Sequence, residues 1–167
     1  MKKFILFAAL IFSSFSASSQ TSNQTLPSGW TTPQKNFLFS YDFILQQVIA
    51  RLKQTYNAQL PLPDIKMSSE SNLADFQKDL HDQWHMDPPE ITNAYAAHAN
   101  RIYIIDDMDY YKRNNRCIDD SLAHEFTHYV QVHYKHIPIE QFDDSMEWEA
   151  VDVQTWFRKT FCKLSDD

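Results

Sequence analysis

The stretch "SLAHEFTHYVQ" at residues 121–131 places His124 and His128 four positions apart, with Glu125 directly after the first histidine. On an α-helix each residue turns by about 100°, so the two imidazoles stand about 40° apart on one face, one turn from each other. Glu125 lies about 100° round from His124, beside that face rather than on it. Ile118, Leu122, Phe126, Tyr129 and Val130 form an apolar stripe on the other side. The spacing predicts an amphipathic helix over about 119–134 that seats its stripe in a core. It turns outward two imidazoles able to hold one Zn²⁺, with a carboxylate placed to take a proton from water at the ion.

Such a centre needs a third ligand. His133 falls about 180° from His124 on the same helix, on the apolar side, and cannot reach the same ion. Gln131 and Tyr134 stand where the metzincin pattern has glycine and histidine, so that pattern is not met. The next helical stretch, "SMEWEAVDVQTWF" at 145–157, offers Glu147 and Glu149. Its apolar stripe (Met146, Ala150, Val153, Phe157) runs between the two glutamates, so amphipathicity does not choose. Glu147 could instead close a capping box with Asp144, and Glu149 could be a buried carboxylate that orients a ligating imidazole.

These motifs resemble those of the gluzincins, zinc peptidases in which a glutamate on a second helix completes the HExxH site. The resemblance covers roughly residues 90–162. The family places a small residue one turn after its glutamate, where the two helices approach; Ala150 meets this for Glu147, whereas Asp152 follows Glu149. Met146 and Val151 stand where the longer pattern has asparagine and aspartate, which leaves the orienting carboxylate unassigned. The resemblance implies a minimal zincin-like α+β domain, with an HExxH helix packed on a following glutamate-bearing helix and a small β-sheet beside them. It implies one zinc per chain on His124, His128 and Glu147, Glu125 as general base, and a peptide or protein substrate. Tyr95, His98 and Tyr103 are the candidates to stabilise the oxyanion, and the strand at 102–105, as a sheet edge, could pair with an extended substrate.

The rest of the chain bounds these readings. Of 167 residues only Gly29 is glycine, which excludes glycine-rich phosphate loops. The net charge of −7 and the absence of a Lys/Arg cluster argue against nucleic-acid binding. Residues 1–19 read as a signal peptide, with Lys2 and Lys3 before an apolar run at 4–12 and a cleavage site near Ser19–Gln20. That run is far short of the roughly 20 residues that span a bilayer, so no membrane anchor is expected after cleavage. Export to a periplasm or beyond the cell makes Cys117 and Cys162 a candidate disulfide, with two unpaired buried thiols as the alternative.

Residues 20–32 read as a flexible leader, and 33–167 as one domain. Within it the periodicities predict a helix from Pro33 through Leu52, a strand at 64–68, a helix at 73–84, strands at 91–95 and 102–105 around a turn at 98–100, and helices at 119–134 and 144–161. A Cys117–Cys162 bridge would join the start of the first zinc helix to the end of the second, as antiparallel packing requires. Two other functions fit the same sequence: a zinc-binding envelope protein without proteolytic activity, and a structural envelope protein in which HEFTH is a solvated helix face.

Overall fold

A computed structural model of the chain describes residues 26–162. The expected signal peptide at 1–19 and the first part of the expected leader lie outside the described residues. The fold is α+β, with five helices and one small sheet: α1 (Tyr41–Arg51), β1 (Asp64–Met67), α2 (Leu73–Trp84), β2 (Ala94–Ala96), β3 (Arg101–Ile104), α3 (Met108–Arg113), α4 (Ile118–His133) and α5 (Asp144–Phe161). Among the described residues, no helix is long and apolar enough to cross a membrane.

The sheet order is β1-β3-β2, parallel between β1 and β3 and antiparallel between β2 and β3. The strand expected to form an edge is therefore the central one, and β2 is the antiparallel edge. Side chains alternate across the sheet. Tyr95, Ile102 and Ile104 face the main core with α1, α4 and α5, while Ala94, Ala96 and Tyr103 pack on Phe76 and Leu80 of α2.

Helix α1 starts at Tyr41 rather than near Pro33, because the Ser40 side chain caps it by accepting from the Phe43 N–H. The segment before it runs in turns and is pinned by tertiary contacts. The Leu38 and Phe39 N–H groups donate to the buried Asp119 carboxylate at 3.0 and 2.9 Å. Trp30, expected in a flexible leader, is instead in the core, edge-on to Tyr41 and beside Phe126. The short helix α3 was not anticipated; Asp107 caps it.

Helices α4 and α5 pack against each other, with Ala150, Val153 and Phe157 of α5 buried. Cys117 at the start of α4 and Cys162 at the end of α5 form a disulfide with their Cα atoms 6.3 Å apart. Asp120 holds the same end: it accepts from the Cys117 N–H at 3.1 Å, completing a capping box, and from Gln154 on α5 at 3.0 Å. The buried carboxylate also faces Arg116 and Arg158.

Two measurements follow from this arrangement. The bridge spans 45 residues of sequence, and a loop of that size corresponds to about 4 kcal/mol in the chain-entropy account. The double variant Cys117→Ser/Cys162→Ser should therefore lose about 2–4 kcal/mol in urea unfolding, and an unchanged midpoint would show that the link does not constrain the unfolded chain. Burial pushes the Asp119 carboxyl up to about 6, against the backbone donors that favour its charge. The folded chain then holds that proton more tightly than the unfolded one, so this contribution is present below about pH 4 and is lost as pH rises through about 6. Relative to Asp119→Asn, the wild type should lose unfolding free energy between pH 4.5 and 7.

Candidate metal centre

The centre is assembled at the opposite end of the α4/α5 pair from the disulfide. His124 and His128 come from one face of α4, and Glu147 from the first turn of α5. Asp143 caps α5 by accepting from Ser145, which leaves the Glu147 carboxylate free of the capping box considered for it. The two histidine Nε2 atoms are 3.2 Å apart, and the Glu147 oxygens lie 3.4 Å from His124 Nε2 and 3.3 Å from His128 Nε2. Ligand bonds of about 2.0–2.1 Å in a tetrahedron put donor atoms about 3.3–3.4 Å apart. The donor set of two imidazoles and a carboxylate, at that spacing, fits Zn²⁺.

Glu149 is not in the triad. Its carboxylate accepts from the Gln131 side chain at 3.0 Å and from Lys135 at 2.5 and 2.6 Å. Gln131 in turn faces His128 Nδ1 through Oε1 at 2.9 Å, while its Nε2 donates to the Met146 carbonyl at 2.9 Å. The carbonyl and the Glu149 carboxylate can only accept, so the Gln131 amide has one possible orientation. Its Oε1 then requires a proton on His128 Nδ1, and in the neutral ring this leaves Nε2 as the nitrogen able to bind a metal ion. His124 Nδ1 is buried and has no such partner among the described residues. Gln131 was missed as a functional residue, although its i+3 spacing from His128 on one helix face was available to read.

The electrostatics follow from burial and from the meeting of two imidazoles with two carboxylates. Hydrogen bonds from His124 and then His128 hold the Glu147 carboxyl well below the usual carboxylate range. Burial pulls His128 down, but Glu147, Glu125 and Gln131 together carry it above its ordinary value. Glu125 is 4% exposed, and burial pushes its carboxyl up. The two histidines draw it down, and so does the nearby backbone of Tyr95.

His124, His128, Glu125 and Glu147 line a cavity of about 190 Å³, walled on one side by β2 and closed elsewhere by Gln83 and Phe142. A larger cavity, about 560 Å³, lies between residues 27–36 and β1 and holds neither grouping of possible metal ligands. The second grouping, Cys117, Asp120 and Cys162, has its sulfurs joined in the disulfide.

The side chains expected to stabilise an oxyanion are directed elsewhere. The Tyr95 hydroxyl lies 3.0 Å from Asn100 Oδ1 and 2.9 Å from His133 Nε2, so only the backbone of Tyr95 serves the cavity. The Tyr103 hydroxyl donates to Asp79 on the α2 side of the sheet. His98 is exposed and faces Glu140 at 3.7 Å. His133, set aside on its helix angle, indeed points away from the triad, toward Tyr95.

No protein-family model, curated protein or solved structure matches the chain.

Gln131→Ala should weaken zinc binding by about 10–100-fold while far-UV circular dichroism stays unchanged. Competition against a chromophoric chelator reads this directly, and equal affinities would mean that the orientation of His128 does not depend on the amide.

Proposed function

We propose that the chain is an exported zinc metallopeptidase, gluzincin-like in its ligand set, that hydrolyses peptide bonds. The observation that carries the reading is the convergence of three donor atoms at 3.2–3.4 Å from two helices, with a buried carboxylate, Glu125, in the same cavity. Bound there, a zinc ion would supply Lewis-acid polarisation of a carbonyl and a lowered pKa for water. The roles of the chain's own groups follow from their positions. His124, His128 and Glu147 bind the ion, and Gln131 keeps the His128 proton on Nδ1. Glu125 accepts a proton from the attacking water and delivers it to the leaving amine nitrogen as the C–N bond breaks. The upward push on its carboxyl brings it nearer the pH at which such a base can both take and return a proton.

The charged n-region and apolar run at the start of the sequence, together with the Cys117–Cys162 bridge, support a periplasmic or secreted location. A second reading, a zinc-binding envelope protein without proteolytic activity, is favoured by one observation. The cavity of about 190 Å³ is smaller than the roughly 300–1,000 Å³ of most small-molecule sites.

Metal analysis and digestion assays together separate these readings. The purified chain should carry one zinc, and Glu147→Ala should lose it while Glu149→Ala keeps the same stoichiometry. Glu125→Gln should retain zinc and lower peptide hydrolysis by about 10²–10⁴-fold. Zinc without hydrolysis of any protein or peptide by the wild type would select the second reading, and a chain that takes up no zinc would exclude both.

A further inference from the structure

Strand β2 is at once an open edge of the sheet and a wall of the candidate cleft, and the hydrogen-bonding groups on its outer side are already engaged. Gln83, near the end of α2, donates from Nε2 to the Tyr95 carbonyl at 2.9 Å and accepts at Oε1 from the Ala97 N–H at 3.0 Å. A primary amide carries one acceptor and one donor group, which is what a single residue of a neighbouring strand presents to an edge. Gln83 thus stands on β2 in the place of one residue of an added strand, and it lines the same cavity as the three ligands.

Docking of α2 does not depend on these two bonds. Phe76 and Leu80 are fully buried beneath β2 and β3, and Phe76 meets Tyr103 edge-on with ring centroids 4.9 Å apart. Gln83 is only half-buried, and α2 ends at the next residue. The amide can therefore leave the edge without unseating the helix.

We propose that Gln83 is a specificity-determining residue of the cleft: its amide occupies the position an extended peptide would take on β2, so the site admits a carbonyl group presented without strand pairing and bars a strand-paired peptide while the amide is in place. This inference rests on the metallopeptidase reading. A neighbouring strand added at this edge would have to displace both bonds of the amide, at the Tyr95 carbonyl and the Ala97 N–H.

The test compares wild type and Gln83→Ala, both zinc-loaded, in their affinity for two kinds of probe. One is acetohydroxamic acid, a chelating group with no peptide arm. The other is a pair of tetra-alanine hydroxamates with the arm on the acyl or on the amine side. In the wild type the arm should improve affinity by less than about threefold, and in Gln83→Ala by about tenfold or more on at least one side, as two freed edge groups would give. Acetohydroxamic acid should bind both proteins alike. Hydrogen exchange at the Ala97 amide should be faster in the variant. An equal arm effect in both proteins, with faster exchange at Ala97, would reduce Gln83 to a cap on a sheet edge and overturn the proposal. A wild type that already gains tenfold from the arm would overturn it too. If acetohydroxamic acid fails to bind the wild type at all, the metallopeptidase reading fails, and this inference with it.

Discussion

Two donor atoms ride on α4 and the third on α5, so the centre exists only while the two helices keep their register. Ties at both ends fix it. At the closed end the disulfide joins the start of α4 to the end of α5, and Asp120 reaches Gln154 across the interface. At the open end Gln131 on α4 donates to the Met146 carbonyl, one residue before Glu147, and Lys135 grips Glu149. A slide of one residue along α5 moves a side chain by about 1.5 Å along the axis and 100° around it. The donor spacing of 3.2–3.4 Å would not survive that.

The same ties account for a polar interface that would otherwise be costly. Buried amides and carboxylates are tolerated when every donor and acceptor is met, and Gln131 is met at both its oxygen and its nitrogen. His124 Nδ1 is the exception among the described residues. The two histidines of the triad are therefore unequal: His128 is held by a chain of partners reaching Lys135, and His124 is held by packing and by its contacts with His128 and Glu147. Glu125 and Glu147 bring two carboxylates to one small cavity, where each disfavours the other's charge, and a divalent cation would offset that repulsion.

What could be read in the sequence was whatever depends on helical period. The spacing of His124 and His128, the apolar stripe of α4 and the span of α5 all follow from about 3.6 residues per turn. The choice of Glu147 over Glu149 came from the small Ala150 one turn on, a packing consideration that amphipathicity alone could not supply. Strand order was not legible. β2 and β3 are three and four residues long, too short for alternation to say which is central, and that order is fixed by pairing with the distant β1. The C-terminal ends of α1, α2, α4 and α5 fall within one residue of those expected at 52, 84, 134 and 161, but the backbone conformation that follows them was not legible. A chain with one glycine places other residues in left-handed turns: Lys53, His85, Asn115 and His136 lie just past the ends of α1, α2, α3 and α4. None of these except asparagine is a recognised stop signal. The anchoring of Leu38 and Phe39 depended on Asp119, a partner about 80 residues away.

Small size also forces one element to serve two ends. An exposed strand edge invites pairing with any extended chain, and larger folds cover it with another strand, a bulge or a run of charge. In this three-stranded sheet, β2 is an edge and also the wall nearest the three ligands, so covering it with another element would close the cleft. A single glutamine resolves that conflict at the scale of one residue. Its amide satisfies the Tyr95 carbonyl and the Ala97 N–H without adding a strand. Protection of the edge and access to the site are then governed by the same pair of hydrogen bonds, each worth only about 1 kcal/mol net. That is strong enough to keep the edge covered at rest and weak enough to yield to a ligand that offers the edge something better.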